Sequence, residues 1–563
     1  ISACLVGSEM CIRDRYITIM SLKKILFTLL VAVTVFSSCN QSSDLSNAIP
    51  ADASYVVHIN TKSLIEKSQY DIFSNPTVKQ GINMYKVMLK DDSKIKFLDD
   101  FLKDANSLGL NLKNETYIFT NYKVYGVVLG VNDAKKVKDA ISNLASVKEE
   151  TIVKDGDFYL ISPESEVCIA WNNSKLILLA DIRKTYNDPG KESLDVVQMS
   201  KDLLVQSADK SINSNKSYVE FAKDQKDFSA FITMQGLDEL ESLSSYLPYG
   251  GYMALNPLKK ALSQFEGVST GVTASFEKGE LVFNSKYYFT TPEVEQKFKE
   301  FASKMSGTIK GDHLKYLAAD PVMLFSTNIK GAGIYSYIEE LGLLNKLEST
   351  TEDILTKEQL GSLIKGCNGD VTFALTSFKK GQNSTNDTEI DEFEVSQNTT
   401  PECFFMMDIE KPSDVTDLIK KQITEGGLQC ADLGDGKYST KIDDKVTLYF
   451  GVNKNTFFVT NIESVFASLS NSNQTNRYAD LIKAKSAVLY GDLGLIKDAL
   501  GDTPDMAAYK NMLSFLSKYE YTVDNSNFTG KGKLEFADKS QNSLAVICKQ
   551  IDAAISQLGS MFQ

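Results

Sequence analysis

Three short patterns in this 563-residue chain place residue types at spacings that suggest chemistry. Gly267-Val268-Ser269-Thr270-Gly271 fits the G-x-S-x-G elbow, which needs a strand, a sharp turn and a helix to present a nucleophilic serine. Here an alternating strand and a hairpin follow, and His313 is the one histidine downstream; the segment reads as a strand entry. Gly331-Ala332-Gly333 lies between an apolar run and a helical stretch, the setting of a dinucleotide-binding turn. Ser336 stands in the place of the third glycine, and the segment reads as a loop that starts a helix. Ser362-Leu363-Ile364-Lys365 fits S-x-x-K, the acyl-enzyme pattern of penicillin-recognising enzymes, without its K-T-G companion. It reads as a helical turn with Ser362 and Lys365 exposed. The chain has two histidines: His58 reads as a partly buried, hydrogen-bonded strand residue and His313 as a surface residue. Asp91-Asp92, Asp99-Asp100 and Asp432/Asp435 lack the D-x-D-x-D-G spacing of a calcium loop and read as solvated charge. Trp171, the single indole, reads as hairpin packing rather than a sugar platform. No catalytic, cofactor-binding or metal-ligating residue is assigned, and no cofactor is expected.

The elements that would position such residues come from an ordinary globular composition, 43% hydrophobic and 24% charged. Sixty Lys+Arg against 73 Asp+Glu give a net charge of −13, which argues against nucleic acid as a partner because that affinity comes chiefly from neutralising phosphates. Residues 1–15 resemble the translated read-through of a sequencing adapter, and 1–19 are set aside as a non-native artefact before Met20. From Met20, Lys23 and Lys24 precede the apolar run Ile25 to Phe36, which falls short of the roughly 20 residues needed to span a bilayer. Ser37-Ser38-Cys39 follows. This resembles a bacterial lipoprotein lipobox in the Ser-rich form of Bacteroidota, with residues 20–38 as signal peptide and 39–48 as tether. The resemblance implies lipid on Cys39, and two or more acyl chains anchor a protein stably. Removing residues 1–38, with four basic and two acidic side chains, leaves 56 against 71, or −15. Such a body is repelled by anionic headgroups, so the lipid at Cys39 must hold it at the membrane. Asp44 is a sparse acidic signal in the tether, which favours a periplasm-facing anchor in the cell envelope.

Five cysteines follow Cys39, an odd and scattered set that is not a disulfide framework. More informative is self-similarity. Ala51–Asn60 aligns with Ala319–Asn328, Glu115–Phe119 with Asp370–Ala374, and Val127–Val131 with Phe405–Ile409. Ile169–Asp181 then aligns with Leu448–Asn461, Phe231–Thr233 with Leu489–Gly491, and Gly271–Phe289 with Tyr519–Phe536. Six matches in one order predict an internal duplication, with lobes at 49–308 and 309–563 and a disordered insert at 379–401. Ala274, Phe276, Leu281 and Phe283 alternate about a Glu277–Glu280 turn as a half-buried hairpin does. Val294, Phe298, Phe301 and Met305 fall on one face of a helix. The expected fold class is α+β: two tandem related lobes, each an antiparallel or mixed sheet with helices on one face.

The opening Ile49 to Leu64 after a lipobox, with Leu108 to Phe119, is similar to an uncharacterised family of Bacteroidota lipoproteins known as a domain of unknown function. The resemblance implies a fold and a location and brings no catalytic residues. The expected function is a membrane-anchored, non-catalytic binding or interaction module, with envelope proteins or polysaccharide as partners. The alternative is a cell-wall or glycan hydrolase using paired carboxylates, which needs two close acids in a cleft, one of them desolvated.

Overall fold

The computed structural model describes residues 45–561 except 90, 104–107, 112–114, 122, 145–150, 165, 183–193, 234–264, 318–320, 345–355, 381–398, 444–445, 471–477 and 501–503. The leader, Cys39, most of the tether and Ala319-Asp320 of the first repeat match therefore lie outside the described residues. In chain order the strands are β1 (Tyr55–Asn60), β2 (Leu110–Asn111), β3 (Glu115–Thr120), β4 (Val124–Val131), β5 (Val153–Asp155), β6 (Phe158–Glu164), β7 (Val167–Trp171), β8 (Lys175–Asp181), β9 (Phe228–Thr233), β10 (Val268–Glu277) and β11 (Glu280–Phe289). The second half adds β12 (Met323–Lys330), β13 (Cys367–Lys380), β14 (Thr399–Ile409), β15 (Cys430–Gly434), β16 (Lys437–Lys441), β17 (Thr447–Asn453), β18 (Thr456–Thr460), β19 (Ala487–Asp492), β20 (Leu516–Asp524) and β21 (Thr529–Phe536).

These strands form one large antiparallel sheet in a mixed α+β fold. At its centre β11 pairs with β21, from Glu280↔Glu535 to Lys286↔Thr529. Outward on one side come β10, β9, β1, β3, β4, β8, β7, β6 and β5. On the other side come β20, β19, β12, β13, β14, β18, β17, β16 and β15. Short β2 lies against the end of β4. A single sheet thus runs through both halves, where the sequence suggested one sheet in each. Of the insert expected at 379–401, residues 381–398 lie outside the described residues, and Lys379 and Lys380 pair with Thr400 and Thr399 in β13 and β14.

Helices cover both faces of this sheet, not one. Beside β4, Val124 and Val128 enter a core with Val56, Phe119 and the helix Val196–Val205. Leu129 and Val131 enter another, with the helix Ala134–Leu144. The second half repeats the arrangement, with Leu324, Phe404 and Met406 on one face and Ile409, Val415 and Phe457 on the other. The physical reason is the continuous apolar run of strands such as Lys175–Asp181, buried along nearly its whole length, as expected of strands covered on both sides.

Two helices tie the halves together. Pro292–Met305 starts with Pro292 at its first turn and the Thr291 side chain accepting from the Val294 amide, a standard helix start. It follows β11 but packs on the helix Gly331–Glu340 and on β12. Phe301 meets Tyr337 at 4.8 Å and Phe298 meets Phe528 at 5.2 Å between ring centres. Ser543–Met561 follows β21 but packs on Thr61–Ser68 and Pro76–Leu89. There Asp552 accepts from Tyr70 and from Asn75.

Candidate functional site

The densest polar cluster lies inside the second half. Asp370 on β13 is buried and accepts from the Lys310 amide (2.9 Å), the Gly311 amide (2.7 Å) and Asn328 Nδ2 (2.8 Å). Asp408 on β14 accepts from His313 Nε2 (3.0 Å), Thr456 Oγ1 (2.8 Å) and the Asp370 amide (3.1 Å). His313 Nδ1 lies 3.2 Å from Thr372 Oγ1, which lies 3.0 Å from Ser326 Oγ. His313, read from the sequence as a surface residue, is in fact buried: Gly311, in the left-handed region, leads into the short turn Asp312–Tyr316 that carries it inward.

Hydroxyl, imidazole and carboxylate stand here in the order of a hydrolytic triad. Both hydroxyls are fully buried, however, and a nucleophile must reach its substrate. The two carboxylates are neighbours, as a glycosidase would need, but each already accepts three hydrogen bonds. Burial opposes the charge on Asp408, and the bonds from His313, Thr456 and the Asp370 amide outweigh it, holding the carboxyl below its ordinary range. A group kept ionised is a poor proton donor. The cluster therefore satisfies buried polarity. Because Asp408 titrates lower folded than unfolded, its contribution is present above an unfolded pKa of about 3.9 and is lost as pH falls through the folded value. Asp408→Asn is expected to cost about 1–2 kcal/mol at pH 7, with the deficit shrinking below about pH 3.9; urea titrations at pH 7 and pH 3 check this.

The corresponding place in the first half is built differently. His58 on β1 pairs across to Tyr117 on β3, as Ser326 on β12 pairs to Thr372 on β13. His58 is buried, its ring 5.2 Å from that of Tyr117. Half-exposed Glu115 comes within 3.6 Å of Nε2, and this polar contact with His58 is the main influence lowering the Glu115 pKa, against the burial that raises it. Tyr117 donates to Glu115 (2.9 Å). Tyr218, from the helix Lys216–Ala222, approaches both Tyr117 and Gln225, and burial pushes its phenol up.

On the opposite face of the sheet one cross-strand row reads Phe228, Ala274, Phe283, Gly532, Tyr521, Leu489, Phe325 from β9 to β12. Large aromatic side chains alternate with other residues, so the rings stand two strand intervals apart, about 9.6 Å. All four are open to solvent: Phe228 38%, Phe283 38%, Tyr521 40% and Phe325 39%. The parallel rows through Val57, Val272 and Thr327 and through Phe276, Tyr519 and Met323 carry no charged side chain from β10 to β12. Nothing in local sequence could reveal this row, because it exists only once seven strands are in register.

The patterns singled out in the sequence lie elsewhere. Ser269 is buried in β10, paired with Tyr288. Ser362 and Lys365 are exposed on the helix Lys357–Gly366, with Lys365 Nζ 3.9 Å from the Tyr335 ring centre. Trp171 is buried, stacked on Tyr159 at 5.5 Å, and donates to the Ala134 carbonyl at 3.0 Å. Gly331 and Gly333 are packing glycines at helix crossings. Among the described residues no three His, Cys, Asp or Glu side chains are grouped to hold a metal ion, and no helix is long and apolar enough to cross a membrane.

Fold and clusters together define an α+β protein organised on one long antiparallel sheet, with an uncharged aromatic row at its centre. The chain belongs to the family described as "Domain of unknown function (DUF4836)", whose model matches residues 45–544. No curated protein and no solved structure matches it.

Proposed function

We propose that the chain is a lipid-anchored, non-catalytic binding module of the bacterial cell envelope, facing the periplasm of a Bacteroidota cell, and that the aromatic row is its docking surface. The row is the observation that carries this reading, since exposed contiguous apolar surface of this kind marks interaction sites. Its lack of charge favours an apolar partner segment. A helix repeats every two turns at about 10.8 Å, close to the ring spacing of about 9.6 Å. A glycan fits less well: most of its hydroxyls would lie over a floor without donors or acceptors, and desolvating them unpaired is costly. The partner is therefore taken to be an envelope protein presenting an apolar helix.

We also propose that the chain arose by duplication, as lobes 49–308 and 309–563. The strand order is the same on both sides of the β11–β21 pair, and Asn284 pairs directly with Lys531 at that junction. Three strands out from it lie His58 and Ser326.

In-cell crosslinking and purification of the tagged protein tests the binding reading. The wild type should recover a few stoichiometric envelope proteins. Cys39→Ala should leave the membrane fraction, and Phe283→Asp with Tyr521→Asp should stay membrane-bound, keep its melting temperature and lose those partners. Retention of the same partners by the double variant would discard the row as the docking surface; recovery of polysaccharide instead would overturn the choice of a protein.

A further inference from the structure

We infer that the aromatic row is the floor of a groove one helix wide, and that its occupant is a single amphipathic helix of the partner lying across the strands; this rests on the docking reading above. Leu281, Phe283, Ser285 and Tyr287 alternate along β11 and so share the face of the row. Leu281 packs with Val546 of the helix Ser543–Met561. Tyr287 packs on Phe298 of the helix Pro292–Met305, 4.9 Å between ring centres. Leu534 and Phe528 mark the same two helices along and beside β21. From 281 to 287, as from 528 to 534, is six positions, about 20 Å of strand. Helices pack about 8–10 Å apart, so among the described residues there is room for one more helix between these two.

Both helices also run in the direction of the row. Pro292–Met305 leaves β11 and ends where Ser306 bridges to Ile329 on β12. Ser543–Met561 starts where Asn542 bridges to Lys278 at the β10–β11 turn, and crosses to the helix Thr61–Ser68 that follows β1. Each half of the row thus has one helical wall, and the two walls overlap at the β11–β21 pair. The floor is low there: an added β-carbon on Gly530 or Gly532 would meet Tyr521, whose ring lies along both glycines with its hydroxyl 3.4 Å from Ser285 Oγ.

This shape selects the occupant. The row lies on a face, where an extended segment finds no ladder for its backbone groups, whereas a helix satisfies its own. A second copy is held off, because sheets stack about 10 Å apart and helices about 10 Å thick stand on this face. Phe228 to Phe325 spans six strand intervals, about 29 Å, which a helix covers in about 19 residues. Floor and walls enclose part of its circumference, so its outward side is polar.

Photo-crosslinking in cells tests the groove, with p-benzoylphenylalanine in place of Phe228, Phe283, Tyr521 or Phe325, one at a time, in the full tagged chain. Mass spectrometry of the adducts should place all four in one partner segment, in order and about six or seven residues apart, since about 9.6 Å is that length of helix. Ser285→Trp, which fills the floor beside the row, should reduce the adducts about tenfold or more, as obstruction at the centre of an interface does, with an unchanged melting temperature; were that variant unstable, the adduct spacing alone decides. The same crosslinker in place of Lys531, exposed on the opposite face, should capture nothing of that segment. Adducts about three residues apart would mean an extended segment, adducts in unrelated segments a broad surface, and adducts within this chain a second copy or a segment of its own. Each of these overturns the helix groove while the row still docks something. Absence of adducts at all four positions would instead remove the docking reading itself.

Discussion

Gly331→Ala is expected to lower stability by about 3 kcal/mol or more, the upper range for forcing atoms into a packed interior. A β-carbon on Gly331 would lie 1.7 Å from the Ile364 carbonyl oxygen and 2.6 Å from that of Cys367. Both are backbone atoms where the helix Lys357–Gly366 runs into β13, so no rotamer change relieves the clash. Gly333→Ala should behave similarly, because its β-carbon would lie 1.9 Å from the Lys304 carbonyl oxygen, at the end of the helix Pro292–Met305. Gly81→Ala supplies the opposite sign: Gly81 sits inside the helix Pro76–Leu89 with nothing within 4 Å of the added carbon, so the variant should gain about 0.5–1 kcal/mol. Urea unfolding of the three variants measures the contrast. Against a typical net stability of about 5–15 kcal/mol, the first substitution should show as a large fall in midpoint, and equal tolerance at positions 331 and 81 would refute the packing account. The same contacts explain why a dinucleotide motif is imitated here: both glycines are required by helix crossings, without reference to a phosphate.

What was legible in the sequence was local. The alternation of Ala274, Phe276, Leu281 and Phe283 about Gly279 gave the β10–β11 hairpin, and Gly279 does adopt positive φ in its turn. The helical spacing of Phe298 and Phe301 put both on the face that packs, against Phe528 and Tyr337. Strand partners separated by hundreds of residues leave no such trace, and neither the β11–β21 pairing nor the single sheet is legible in the sequence. The helices on both faces do leave a signal in the sequence, the unbroken apolar run of Lys175–Asp181. The burial of His313 leaves no local trace because its partners Thr372 and Asp408 lie 59 and 95 residues away. The sequence match of Phe231 to Leu489 also slips by one residue: pairing with β1 and β12 sets Phe231 opposite Val56 and Tyr490 opposite Leu324. In a strand one residue is the difference between faces, so the slip exchanged an exposed-row position for a core one.

Cutting the chain between residues 308 and 309 should give two fragments that fold together but not apart. Each half sends its last helix to the other: Pro292–Met305 onto Gly331–Glu340, and Ser543–Met561 onto Thr61–Ser68 and Pro76–Leu89. Alone, the first fragment would expose Phe298 and Phe301 without Phe528 and Tyr337, and it would present β11 as a bare edge of ten residues. Long apolar edges of that kind recruit other chains. The second fragment would leave the outer edge of β21 equally unpaired and Gly333 without the end of the helix Pro292–Met305 that it packs against. Co-expression with a tag on one fragment should recover both in equal amounts, with one cooperative melt, while each expressed singly should aggregate or pair with its own copy through the open edge. Two monomeric fragments that each unfold cooperatively would refute the exchange. Self-pairing of the first fragment would be informative in its own right, because it would show that the β11 edge can pair with a copy of itself in place of β21.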